Sequence, residues 1–417
     1  MRAYVPDYEL VAPPDLRSAL ETMASEPGVW RPIAGGTDLM VLFEAGRLPF
    51  HKLLSIWKLD ELRGIDVTPE SITVGALTSY TQILQHAILQ REFPLLTKAA
   101  SWTGGVATQN RGTLAGNIAN ASPAADSPPA LLVYDAQLEL VSAAGSRTIP
   151  YNGFHTGYKR TQMRPDELIA RIRLPRSNRN WHHFTRKVGT RKAQAISKVC
   201  LAAVAELDGI TFKEVRIALG SVAPTVIRCP RTEAFLTGKS INNETIVGAK
   251  ETIVSEVQPI TDIRSTADYR LRVTANVVEQ FLLWTKFHAC CGSSRWADAM
   301  ADGAQDPWWN LEEKDWLEAF ASHPKIGEKP VNDAVATQEQ KSIGGASPKI
   351  LAALAEGNRI YFEKFGYIYI VCATGKSGEE MLATLRERLF NDPGSEIRIA
   401  AEEQQKITAL RLEKFSA

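Results

Sequence analysis

In the segment EAFASHPKIGEKP, His323 stands directly before Pro324, and histidine is the side chain whose ordinary pKa lets it take up and release a proton near neutrality. A residue before proline is pushed out of helical geometry. His323 is therefore expected at a helix end, its ring turned away from the preceding turn. A lone histidine more often packs or caps than catalyses, so its company matters: Glu339 and Gln340 follow in ATQEQKSIGG. A second chemistry is suggested by two glycine-rich turns in the first third of the chain. Glycine has no β-carbon, so its backbone can approach a pyrophosphate closely and aim N–H groups at it. Residues 33–40 read IAGGTDLM, where Ile33, Ala34 and Asp38 flank Gly35, Gly36 and Thr37, the candidate phosphate donors. Residues 110–132 read NRGTLAGNIANASPAADSPPALL and bring Gly112, Thr113, Gly116, Asn117, Ser122 and Asp126. One GG pair alone marks an ordinary turn; the pairing with a second, long, small-residue segment is what points to a ligand with anionic or polyhydroxyl groups.

These residues need elements to hold them. Up to about Trp284 the chain mixes helix and strand signals. Leu168, Ala170, Ile172 and Leu174 alternate with polar neighbours, as do Val215, Ile217 and Leu219, the period of a half-buried strand. The run SAAGSR at 142–147 reads as a turn. After Phe287 the pattern becomes helical. Asn310 with Glu313, and Ser377 with Glu380, resemble capping boxes. Ile350, Leu354, Asn358, Tyr361 and Phe365 share one helical face, and Gly366 reads as that helix's C-cap.

The 417 residues suffice for two or three compact units. With 48 basic against 47 acidic residues and no long block of either sign, nothing favours nucleic acid or an anionic membrane surface. No apolar run approaches the length of a membrane span and the first residues do not read as a secretory signal, so a cytoplasmic protein acting on small molecules is expected. The five cysteines, Cys200, Cys229, Cys290, Cys291 and Cys372, lack the spacing of a zinc or iron–sulfur ligand set and are expected as reduced, packed thiols. Trp296, Trp308, Trp309 and Trp316 are expected as core or interface aromatics.

The two glycine segments resemble the FAD-binding subunit of molybdenum hydroxylases such as xanthine dehydrogenase and carbon monoxide dehydrogenase. Residues 74–84, 154–175 and 218–228 extend the resemblance. It implies FAD as cofactor, the first loop on the pyrophosphate and the second along the flavin, with Asp126 on ribityl or ribose hydroxyls and Met163 and Lys187 near the isoalloxazine. It also implies partners: a molybdopterin-binding large subunit, a [2Fe–2S] small subunit, and NAD or another electron acceptor. Where the family has an acidic residue before Ile-Ala, this chain has Gln194 and Ala195.

The C-terminal segments SSRWADAM, HPKIG, the Glu-Gln pair, N-x-x-Y at Asn358 and Tyr361, KFGYIYIVCATGK and EQQKITALRL resemble 2-oxo-4-hydroxy-4-carboxy-5-ureidoimidazoline (OHCU) decarboxylase. That resemblance implies a cofactor-free site. His323 would be the proton donor and Glu339 and Gln340 would hold the ureido and ring groups. Pro324, Thr337 and the main chain of Tyr369, Ile370, Val371, Cys372 and Ala373 would line the substrate. Ala336 replaces a serine common in relatives.

The expected architecture is multidomain: an α+β FAD-binding domain at 1–175, an α+β flavin-subunit subdomain at 176–286, and an all-α OHCU decarboxylase domain at 287–417. The expected function is a bifunctional protein of purine catabolism. Two alternatives stand beside it: a first domain that has lost flavin and only docks the decarboxylase to a hydroxylase complex, and a free-standing flavin oxidoreductase.

Overall fold

The structure, a computed structural model, describes residues 7–177, 180–323 and 347–416. The chain divides into two compact units. One comprises Met1–Val204, Val215–Phe235 and Ala249–Val278; the other Ala205–Glu214, Leu236–Gly248 and Glu279–Ala417.

In the first unit a small parallel sheet runs in the order Glu9–Val11, Lys52–Ser55, Trp30–Ile33. Helix Leu16–Ser25 follows the first strand, its start fixed by Asp15, whose carboxylate accepts the Ser18 N–H at 2.7 Å. The helix buries Ala19, Leu20 and Met23. Strand Trp30–Ile33 runs straight into the first glycine loop.

A five-stranded antiparallel sheet follows, in the order Ile65–Val67, Ser71–Gly75, Leu168–Pro175, Gln137–Ser142, Gly145–Pro150. The turn read at 142–147 is the hairpin between the last two strands, with Ser142 opposite Gly145 at φ +135°. In the central strand Leu168, Ala170, Ile172 and Leu174 are buried as the alternation predicts, and Arg173 is exposed. Ile169 is buried too, because a bulge between Ile169 and Arg171 inserts an extra residue into the pairing. Val215, Ile217 and Leu219 are likewise buried in strand Thr211–Gly220. Short helices Tyr80–Gln85, Val106–Arg111, Leu114–Ala119 and Ser127–Val133 carry the second glycine segment and its supports.

Among the described residues from Ser294 onward, the regular elements are all helical. The helix start expected at Asn310 lies further on: Trp308–Asn310 closes a short 3-10 turn, and Glu312 with Asp315 forms the reciprocal capping box of helix Glu313–Ala321. Ser377 and Glu380 cap helix Gly378–Arg388 as expected. Helix Pro348–Phe365 buries Leu354, Asn358 and Tyr361, and Gly366 ends it at φ +81°, a conformation glycine adopts without penalty. Trp296 and Trp308 are core residues, Trp316 packs partly buried against them, and Trp309 is largely exposed.

Residues 367–373 form no regular element, yet they are largely buried, so side chains must satisfy their backbone groups. Arg388 donates to the Ile370 carbonyl at 2.8 Å, and Glu403 accepts the Cys372 N–H at 2.8 Å. Arg388 is in turn paired with fully buried Glu396 at 2.6 Å, which also accepts from Asn391 at 2.7 Å and from the Tyr361 hydroxyl. A buried ion pair adds little net stability; here its geometry fixes an irregular segment. No described helix is long and apolar enough to cross a membrane.

Candidate functional site

The two glycine loops meet. A β-carbon on Gly35 would lie 1.7 Å from the carbonyl oxygen of Arg111, so glycine at 35 is required first by backbone-to-backbone contact between the loops. Gly36 turns the chain at φ +77°. Asn120 joins the loops through their side chains, donating to Asp38 at 3.1 Å and accepting from Lys159. Thr113 caps helix Leu114–Ala119 by accepting the Gly116 N–H at 3.1 Å.

Between the loops lies a cavity of about 500 Å³. Of the predicted flavin residues, Ala34, Gly35, Gly36, Thr37, Asp38, Gly112, Thr113, Gly116, Asn117 and Met163 line it. Ile33, Ser122, Asp126 and Lys187 do not. Asp126 and Lys187 instead form a buried ion pair at 2.6 Å, with Ser197 donating to the other carboxylate oxygen at 2.5 Å and Lys187 also reaching the Trp102 carbonyl at 3.4 Å. Burial raises the Asp126 pKa, while the Lys187 charge and hydrogen bond pull it down.

Sequence reasoning missed the cations. Arg31, Lys159 and Arg164 all border the cavity; burial lowers the Arg31 pKa, opposed by the charge of Asp38. Arg31 lies in the strand before the first glycine loop and Lys159 and Arg164 about 130 positions on, and nothing in their spacing says that the fold brings them to one cavity. Cations, threonine hydroxyls and carboxamides line the cavity together with the carboxylates of Asp38 and Glu167, and the donors among them fit a pyrophosphate.

In the helical unit, His323 follows the last turn of helix Glu313–Ala321, its N–H donating to the Phe320 carbonyl at 3.2 Å. Its Nε2 is buried without a hydrogen-bond partner among the described residues. Burial pushes the imidazole down to about 3, the Arg411 charge adds to this, and the neighbouring Gln404 side chain opposes it. Desolvation therefore favours the neutral imidazole, and the pKa lies below the ordinary value at which a histidine takes up a proton near neutrality. Gln404, Thr408 and Arg411 are buried on one face of helix Pro393–Ser416. Gln404 donates to Thr408 at 3.3 Å, and Arg411 to the Cys290 carbonyl at 3.3 Å. Polar residues at i, i+4 and i+7 on an otherwise apolar face were the available signal. Tyr369, Ile370, Val371 and Ala373 are buried and Cys372 is half-buried. Pro324, Thr337, Glu339 and Gln340 lie outside the described residues, as does Ala336.

Residues 6–177 match the family described as FAD binding domain in molybdopterin dehydrogenase, and residues 184–285 the CO dehydrogenase flavoprotein C-terminal domain. The xanthine dehydrogenase FAD-binding subunit of Escherichia coli O157:H7 is 33% identical over 271 residues, 64% of this chain and 92% of that protein. The chain belongs to the FAD-binding subunits of the molybdopterin dehydrogenases. This FAD-binding subunit shares its fold with a chain of carbon monoxide dehydrogenase from Hydrogenophaga pseudoflava, at a TM-score of 0.64 and 29% identity over 66% of this chain and 96% of that one. Residues 276–413 match a second family, OHCU decarboxylase. The uric acid degradation bifunctional protein TTL of Arabidopsis thaliana is 40% identical over 149 residues, 31% of this chain and 46% of that protein. The FAD-binding subunit thus bears a second enzyme, an OHCU decarboxylase domain, on the same chain.

Proposed function

We propose that the flavin-subunit part holds FAD in the cavity between its glycine loops and serves a xanthine-oxidising complex, while the helical domain converts OHCU to (S)-allantoin. For the first part the carrying observation is the basic cavity. Arg31, Lys159 and Arg164 would face the pyrophosphate, Thr37 and Asn117 would donate to its oxygens, and Met163 would pack on an apolar portion. Bound there, FAD supplies the electron-transfer chemistry, which the protein only positions and tunes. Relatives are the medium or FAD subunits of larger enzymes, so a molybdopterin-binding large subunit and a [2Fe–2S] small subunit are the proposed partners, with NAD as acceptor. The isolated chain is expected to oxidise no xanthine with any acceptor, and turnover by the chain alone would overturn the partner reading.

For the decarboxylase, the carrying observation is the His323 ring at a helix end, its Nε2 buried without a hydrogen-bond partner among the described residues, with burial and the Arg411 charge lowering its pKa. OHCU is a carboxylate. Its negative charge against Arg411 cancels the repulsion and lets His323 take up a proton in the complex. The bond from ring carbon to carboxylate breaks, CO2 leaves, and the electron pair moves onto the imidazoline. His323 then delivers its proton to one face of that carbon, and the imidazole takes up another from solvent when the next carboxylate binds. Glu339 and Gln340 would hold the ureido and ring groups, and main-chain groups at 369–373 would close the site. Placed proton transfer contributes about 10² to 10⁴ in rate. His323→Ala should lose about that factor and give allantoin closer to racemic, read by circular dichroism of product from freshly generated OHCU. A variant with undiminished rate and one enantiomer would make His323 structural.

A further inference from the structure

Tyr80 is almost fully buried, at 2% exposure, on the wall of the flavin cavity. Its hydroxyl lies 3.1 Å from the hydroxyl of Ser127, which has no exposed surface. Ser127 in turn donates to Oδ1 of Asn117 at 3.1 Å. A serine has one proton to give. With that proton on Asn117, a hydrogen bond between Tyr80 and Ser127 takes its proton from tyrosine, which gives the chain the direction Tyr80 to Ser127 to Asn117; the Tyr80 hydroxyl also meets the side chain of Thr103. It ends on a planar carboxamide whose oxygen is occupied, leaving the NH2 group to face elsewhere, and Asn117 borders the cavity.

We propose that Tyr80 is a positioning residue for the flavin: through Ser127 it sets the Asn117 carboxamide so that its NH2 group donates into the cavity. This rests on the reading of Asn117 as a cofactor contact. The same tyrosine also steadies the start of that loop. Its N–H donates to the Gly112 carbonyl at 3.2 Å, and a β-carbon on Gly112 would come within 3.3 Å of its ring. Burial raises the tyrosine pKa, so the hydroxyl remains a donor throughout the working pH range. Tyr80→Phe deletes the head of the chain and keeps the ring that packs on Gly112. Ser127, without a donor to accept, is then free to turn, and Asn117 loses its fixed orientation.

The test titrates FAD into the flavin-stripped full-length protein, following flavin fluorescence, for wild type, Tyr80→Phe, Ser127→Ala, Asn117→Ala and the Tyr80→Phe/Asn117→Ala double variant. Tyr80→Phe and Ser127→Ala should each weaken binding about three- to tenfold, the worth of one neutral hydrogen bond. Asn117→Ala should weaken it at least as much, and the double variant should bind no more weakly than Asn117→Ala alone. Wild-type affinity in Tyr80→Phe overturns the proposal. So does full additivity in the double variant, which would mean that Tyr80 acts on the flavin by a route that bypasses Asn117. Unchanged affinity in Asn117→Ala removes the cofactor reading of Asn117 itself, and the proposal falls with it. Thermal midpoints of the flavin-free variants provide the control, since a purely structural tyrosine would lower the midpoint without the Asn117-dependent change in affinity.

Discussion

Acidification should weaken the helical domain through His323, and the size of the effect follows from its surroundings. The imidazole is pushed from 6.5 down to about 3. In the unfolded chain it protonates near its ordinary 6.5, whereas in the folded domain it stays neutral until far lower pH. Below 6.5 the unfolded state therefore binds a proton that the folded state refuses, and stability falls with falling pH. The contribution is whole above 6.5 and disappears as pH drops through about 3. At pH 5 the domain should have lost about 2 kcal/mol on this account, from about 1.5 pH units at about 1.4 kcal/mol each. His323→Asn removes the titrating group and with it this slope. Urea unfolding of both proteins at pH 7.5 and pH 5 gives the comparison, in which every other group cancels. Equal losses in the two proteins would show that the ring is solvated in the folded domain and titrates near its ordinary value. An NMR titration of the His323 ring proton in the folded protein would then place its pKa near 6.5. The Arg411 argument would fail with it.

Gly35→Ala should disrupt the first domain, because the added carbon meets a backbone oxygen that cannot swing away; a lower melting point and loss of FAD uptake are the readouts, and wild-type behaviour in both would refute the loop contact. Arg388→Met leaves Glu396 buried without its cation and should destabilise the helical domain by about 3–5 kcal/mol, measured by denaturant midpoint. Cys372 should be the one thiol that reacts quickly with a thiol reagent in the native protein. The other four are buried, with thiols pushed up by desolvation, Cys290 to about 12 and Cys291 to about 11; a count of fast-reacting thiols above one would contradict that.

Much of this was legible in the chain because it depends on short-range chemistry. The Ser377–Glu380 cap, the Gly366 stop, the hairpin turn at Gly145 and the alternation in Leu168–Pro175 each involve residues within a few positions of one another. Displacement of the expected cap at Asn310 shows the limit, since a turn made by Trp308–Asn310, with buried Trp308 at its head, decided which acidic pair would serve. The glycine loops stand out in the sequence, although the reason for Gly35 does not. It lies in a carbonyl 76 positions away.

What the sequence determined by itself is where the candidate segments lie, because glycine loops and a histidine before proline are visible in order along the chain. Tertiary structure alone decided which of those residues meet. It placed Arg31, Lys159 and Arg164 on one cavity and withdrew Asp126 and Lys187 into a buried pair. It also brought Arg411 near His323, where burial and that charge lower the imidazole pKa. Desolvation and Coulomb interaction depend on distances through space, and those distances come into being only when remote parts of the chain pack together.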